Sequence, residues 1–254
     1  MSEESTLDVY LPEAAEYSCG VLSKRHLGAR VYEVVLERPP ETPFLPGQYL
    51  QVMLDDANGV PFSIASAPEE PATLTLHIQN QGEDSLSEQV LERLQPGARV
   101  PVRLPMGECC LRSDQLAADE VLILVAAGTG FAQMKAIIES VIESGLENPV
   151  WLYWGSRTPD LFYARELAES WAEALPSLQF IPVVSELTVG WLGRTGLVHH
   201  AVLEDFEDLA EARVYLCGSP QMVYAAEDDF MTRGLRPDRI FSDVFAYAPR
   251  PDAD

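Results

Sequence analysis

Three short stretches of this 254-residue chain put small residues where a ligand could approach the backbone. Ala126-Ala127-Gly128-Thr129-Gly130 ends the apolar run VLILVAA and opens a segment of helical period. Glycines at a strand-to-helix turn admit a ligand, and the unpaired N–H groups of the helix start face an anion. That chemistry is pyrophosphate binding. The six-residue dinucleotide fingerprint is incomplete, because Gln133 stands where its third glycine would be, so Gly-Thr-Gly also reads as a plain tight turn. Cys217-Gly218-Ser219-Pro220-Gln221-Met222 repeats the arrangement, with Pro220 at the start of a helix. Cys217 is either a site residue at a strand end or a small buried hydrophobe. Gly155-Ser156-Arg157 is a third such turn, and Arg157 and Arg194 are the bases best placed to meet a ribose or phosphate oxygen, with solvated surface as their alternative. His26, His77, His199 and His200 show no carboxylate or nucleophile in a convincing sequence relationship, which sets hydrolytic triad chemistry aside.

The elements that must hold these turns change character along the chain. From about residue 18 to 113, RVYEVVLE, QYLQVML, TLTLHIQ and ARVPVRL alternate with period two and are broken by Pro- and Gly-rich turns, the pattern of antiparallel strands in a small barrel or sandwich. DSLSEQVLERL interrupts them as a helix, with Leu86, Val90, Leu91 and Leu94 on one face and Ser85 or Asp84 as N-cap. The apolar signal lapses over residues 112–119, which marks a linker. Beyond it, apolar runs alternate with helical segments up to a last short strand, IFSDVFAY, as in a parallel doubly wound sheet. The expected architecture is two-domain, β followed by α/β: a loose acidic arm over 1–17, an antiparallel Greek-key β-barrel over 18–113, and a doubly wound parallel sheet over 114–254. In such a sheet ligands bind beyond the carboxyl ends of the strands, so all three turns should line one crevice.

Composition narrows the partners. Seventeen basic against 40 acidic side chains leave a net charge of −23, which repels nucleic acid and anionic membrane. The only lysines are Lys24 and Lys135, a balance that suits either a salty cytoplasm or plain solubility. No apolar run approaches the roughly 18 residues that span a bilayer, and the acidic N-terminus lacks the features of a secretory signal, so a cytoplasmic location is expected. Cys19, Cys109, Cys110 and Cys217 lack C-x-x-C spacing, which suggests neither zinc nor an iron–sulfur cluster; adjacent Cys109 and Cys110 read as core.

PGQY at 46–49, PFSIAS at 61–66, LHI at 76–78, GTG at 128–130, YWGSR at 153–157, CGSPQM at 217–222 and FSDVFAY at 241–247 together resemble the ferredoxin-NADP reductase superfamily, and within it the NAD(P)H-flavin reductases. The resemblance implies a flavin-binding barrel and a nicotinamide-binding α/β domain, with the two rings stacked at their junction. It implies that flavin (FAD, FMN or riboflavin) contacts Pro61, Phe62, Ser63, Ile64, His77 and Ile78. It implies that NADH or NADPH contacts Gly128, Thr129, Gly130, Gly155, Ser156, Arg157, Cys217, Gly218 and Met222, with Phe245 or Tyr247 shielding a ring face. Ser63, near flavin N5, and Cys217, beside the nicotinamide, become the expected catalytic pair. Val60 stands where the family carries a phosphate-holding arginine, and Glu83 and Asp84 crowd the next phosphate segment, so flavin is expected to be held chiefly by its ring. The implied activity is flavin reduction with release of the reduced flavin, serving an electron-acceptor protein or a ferric chelate. The alternatives are a reductase subunit that retains FAD and feeds a partner protein, and a non-catalytic nucleotide-sensing module.

Overall fold

A computed structural model describes residues 13–70 and 72–250. The chain opens with a long strand, β1 (Ala15–Gly28), followed by β2 (Val31–Glu37), β3 (Tyr49–Met53), β4 (Gly59–Ser63) and β5 (Thr73–Gln79). Helix α1 (Leu86–Arg93) then leads to β6 (Arg99–Met106). Their order in the sheet is β4-β3-β6-β1-β2-β5. The first half of β1 pairs with β6 and the second half with β2, so one bent strand serves both halves of the sheet. Placing β6 between β1 and β3 gives the Greek-key connection. The sheet curls until its two ends meet at a single bridge, Ile64 to Leu76, and is not closed by a full ladder. Period-two alternation puts Leu74, Leu76 and Ile78 of β5 into the interior with Val34, Leu50 and Val102, while Thr73, Thr75, His77 and Gln79 face outward.

The second half alternates as its sequence pattern requires. It runs β7 (Val121–Ala127), α2 (Phe131–Glu143), β8 (Val150–Ser156), α3 (Arg165–Ala174), β9 (Leu178–Val184), β10 (Arg194–Thr195), α4 (Val198–Asp205), β11 (Ala212–Cys217), α5 (Pro220–Met231), β12 (Ile240–Phe241) and α6 (Val244–Tyr247). The strands are all parallel, in the order β10-β9-β8-β7-β11-β12. One face packs Phe131, Met134 and Ile137 of α2 and Trp171 of α3; the other packs Val202 of α4 and Val223 and Phe230 of α5. The order reverses between β7 and β11, and a crevice for ligands opens beyond the carboxyl ends of strands at such a switch point. At the opposite end of the sheet, buried Glu120 accepts from Arg213 and Arg239, charges that tie strand starts together far from the crevice.

Several expectations need correction. The acidic arm falls mostly outside the described residues, but Ala15–Tyr17 already belong to β1 and pair with Val102–Leu104. Helix α1 has its expected Ser85 cap, yet Leu86 is exposed, and Ser87 is buried in its place. The final strand is two residues long, because SDVFAY turns into α6. Among the described residues, no helix is long and apolar enough to cross a membrane.

Candidate functional site

The turns after β7 and β8 line one cavity, while from the segment after β11 Met222 reaches it and Cys217, Gly218 and Ser219 do not. A cavity of about 360 Å³ at the strand ends is lined by Gly128, Thr129, Gly155, Ser156, Arg157 and Met222. Ala29, Val31 and Gln79 of the antiparallel sheet supply its far wall. Gly128 has φ +54° and open space where a Cβ would stand, and its carbonyl accepts from Trp154 Nε1 at 2.9 Å. The backbone is therefore both held and approachable. Gly130, by contrast, is pressed against the Cys217 carbonyl, and Gly155 against Val198, so these two glycines let helices pack against strand ends. The two glycines of the Gly-Thr-Gly turn therefore differ, Gly128 leaving its backbone open and Gly130 serving packing.

Arg157 lines the cavity and makes no ion pair among the described residues. Arg194 does not reach it: its guanidinium donates to Asp205, Glu204 and the Ala201 carbonyl, which makes it a structural clamp on α4. Gly218 stands behind the cavity against Met222, and Ser219 caps α5 by accepting from the Met222 N–H. His199, with Leu197 and Val198, completes the wall.

Ser63 and Cys217, 154 residues apart, come together between the two sheets. Ser63 is the side chain whose hydrogen-bonding acts on the Cys217 thiol. Burial pushes the Cys217 thiol up to about 12, the Asp243 carboxylate adds to the rise, and Ser63 opposes it. The side chain is a neutral thiol at physiological pH, suited to packing beside a ring and unsuited to nucleophilic attack. On β4 the alternation turns Pro61 and Ser63 away from the barrel interior, whereas Val60 and Phe62 lie half-buried against the interior cluster. Ile64 and Ile78 are fully buried in that cluster, so only their backbones could meet a ligand. His77 faces Tyr163, with Nδ1 3.1 Å from the hydroxyl, and Glu33 stands 3.9 Å from its Nε2. Burial, with Lys135 and Arg25 in support and Glu33 opposing, holds His77 near 4, so the ring is neutral. It joins the two sheets at a place apart from the cavity. Phe245 packs against Tyr224 on α5, while Tyr247 is exposed, its hydroxyl raised by burial of the group with Cys217 and Asp243 adding to the rise.

Four residues of the site were not singled out by sequence reasoning. Tyr163 lines the cavity and stands edge-on to Phe131, Trp154 and His77; it lies just before α3, which begins at Arg165. Gln133 Nε2 donates to Gly47 O, Cys109 O and Asp243 Oδ2 at 2.6, 3.2 and 2.9 Å. The residue that spoils the glycine fingerprint thus clamps both domains and the C-terminal segment together. Burial raises the Asp243 carboxyl to about 6, against the donors Gln133 and the Cys109 and Glu108 backbones. His199 is the fourth: it and His200 stand 3.4 and 3.6 Å from Asp229, a carboxylate that sequence separation hid.

Residues 124–228 match the family model for an oxidoreductase NAD-binding domain. The chain is 34% identical over 236 residues to an NAD(P)H-flavin reductase of Aliivibrio fischeri, covering 91% of this chain and 98% of that protein. It is 34% identical to the CDP-6-deoxy-L-threo-D-glycero-4-hexulose-3-dehydrase reductase of Yersinia pestis, covering 94% of this chain and 73% of the relative. Among solved structures, an Amycolatopsis cytochrome P450 reductase superposes with a TM-score of 0.82 at 25% identity, over 91% of this chain and 69% of that one. A sequence this similar over nearly the whole of both chains places the protein in the NAD(P)H-flavin reductase family.

Proposed function

We propose that the protein is an NAD(P)H-dependent flavin reductase that takes flavin as a diffusible substrate and holds it by its ring. The residues suit a dinucleotide: an approachable Gly128 backbone, an unpaired Arg157 and a cavity at the switch point. The ring end of a flavin also finds partners, in the outward-facing Ser63 and Pro61, the half-buried Phe62 and the exposed Tyr247. When both are bound, flavin N5 receives a hydride from nicotinamide C4, chemistry that depends on placement of the two rings. The chain's part is to orient them: Ser63 offers a hydrogen bond, Cys217 packs as a neutral thiol, and Gly130 fixes the start of α2 against Cys217.

The observation that carries diffusible flavin is the phosphate end, which does not fit tight anchoring. Val60 is apolar and packs on the barrel interior. At the N-terminus of α1 the Ser85 hydroxyl is already used, donating to Gly82 O and accepting from Glu88 N, and the Glu88 carboxylate accepts from Asp84 N. A helix start that would otherwise attract phosphate is filled by the chain's own acid. Arg103 pairs with Glu16, and Arg93 donates to Leu54 O, which leaves Arg30, with its guanidinium beside Gly82, as a base at this segment. Relatives named for a dehydrase and for a cytochrome P450 support an acceptor protein for the electrons over a ferric chelate. Gel filtration of the purified protein with added FAD tests the reading. A colourless protein that oxidises NADH or NADPH with riboflavin, FMN and FAD at similar KM is expected. A yellow protein with stoichiometric FAD, inactive on riboflavin, would establish the FAD-retaining subunit instead.

A further inference from the structure

Helices α4 and α5 lie side by side on one face of the parallel sheet and bring three polar side chains to one point at its surface. His199 and His200 come from α4 and Asp229 from α5. Asp229 Oδ2 stands 3.4 Å from His199 Nε2 and 3.6 Å from His200 Nε2, and one ligand atom from each of the three residues lies within 4.8 Å of the others. Well-formed N–H···O hydrogen bonds are shorter, at about 2.7–3.2 Å. The distances match the edge of a coordination tetrahedron: with metal–nitrogen and metal–oxygen bonds of about 2.0–2.2 Å, donors at its corners stand about 3.3–3.6 Å apart.

The innermost of the three side chains is held in place. His199 is 4% exposed, and its other ring nitrogen, Nδ1, is buried without a hydrogen-bond partner among the described residues. Its ring is thus fixed by packing, with Nε2 turned to Asp229, while the same residue forms part of the dinucleotide cavity wall. His200 and Asp229 are 55% and 40% exposed, so an ion can enter from solvent and the outer imidazole can turn to close on it.

We propose that His199, His200 and Asp229 bind one divalent ion of the zinc class, with a fourth position open to water. Two imidazoles and one carboxylate suit zinc, cobalt or nickel and are a poor set for magnesium or calcium, which take oxygen ligands. A metal on Nε2 leaves the His199 proton on Nδ1, and the same residue lines the cavity. The effect on nucleotide binding rests on the proposed function; binding of the ion does not.

Calorimetric titration of the full chain with ZnCl₂, for wild type, His200→Ala and Asp229→Asn, tests the site. Wild type should bind one ion per chain. Loss of an outer hydrogen-bond partner alone commonly weakens metal binding about 10- to 100-fold, so loss of a ligand should weaken it at least about tenfold in each variant. Both substituted side chains are exposed, and melting of the metal-free proteins verifies that the variants fold; ZnCl₂ should raise the Tm of wild type more than that of either variant. Equal zinc binding by all three proteins would place the ion elsewhere, on a free cysteine such as Cys217, and would overturn the site, as would no stoichiometric binding by wild type.

Discussion

Replacing Asp243 by Asn should change stability in a way that depends on pH, and the size of the effect follows from where the carboxyl sits. Burial raises it from 3.8 to about 6, although Gln133 and the Cys109 and Glu108 N–H groups all donate to it. A raised folded-state value means that the native protein holds this proton more tightly than the unfolded chain does. Its stabilising contribution is therefore complete below the unfolded value and is lost as pH rises through about 6. In full the ionised carboxylate costs about 3 kcal/mol, of which about 1.4 kcal/mol accrues between pH 5 and pH 8, a range clear of the sequence pI of 4.4. Asn cannot ionise, and its single amide oxygen can still accept from Gln133 but not from every donor. The lost hydrogen bonds cost about 1–3 kcal/mol at all pH values. Urea unfolding of both proteins at pH 5, 6, 7 and 8 isolates the pH-dependent part, because other carboxylates cancel in the difference. The variant should gain on wild type by about 1.4 kcal/mol from pH 5 to pH 8. A difference that stays constant with pH, or that moves the other way, would show that Asp243 titrates normally and that the junction is more open to water than its packing implies.

Four further outcomes follow from the same geometry. Ser63→Ala should lower kcat with the fold intact, by at most the about 10²–10³ typical of a lost donor at a site of developing charge, and an unchanged kcat would remove Ser63 from the ring site. Cys217→Ala should impair kcat more than the nicotinamide KM, since a neutral thiol affects placement; a change in KM alone would contradict that role. Gly130→Ala should lower both Tm and kcat, because the new methyl meets the Cys217 carbonyl and must displace α2 or β11; wild-type values for both would contradict the packing. Val60→Arg should tighten FMN and FAD by up to about 10- to 100-fold, the worth of a charge-assisted hydrogen bond, while riboflavin stays unchanged in fluorescence titration; equal shifts for all three would show that position 60 does not face a phosphate.

Most of the fold is written in local patterns. Alternation with period two placed the strands of the first sheet, because each has one face inside a single core and the other outside it. Continuous apolar runs such as VLILVAA marked strands covered on both faces, and the helical segments between them supplied the covers. The failures have local causes of their own. Leu86 continues an apolar stripe but sits in the first turn of α1, where the capped backbone turns it to solvent and brings Ser87 inward. SDVFAY leaves β11 after Phe241, and Ser242 Oγ accepts from the Val244 N–H, which starts a helical turn in place of a longer strand.

The candidate site divides along a different line. Backbone turns at strand ends were legible, and those at Gly128 and Gly155 line one cavity. Residues that act through a partner distant in sequence were not. Gln133 counted only as a missing glycine until its amide was found bridging Gly47, Cys109 and Asp243, whose sequence separations are 86, 24 and 110. Arg194 looked free because Asp205 and the Ala201 carbonyl belong to the next helix. His199 and His200 looked idle because Asp229 lies on another. Gln133 and His199 are polar groups whose burial calls for a partner, so the sequence reveals a demand for one without naming it. The junction between the sheets, where Ser63, Cys217, Asp243 and Gln133 meet, is built almost wholly from such pairings. Its geometry depends on the docking of two separately cored units, and a change to either core should reach the site by shifting that docking.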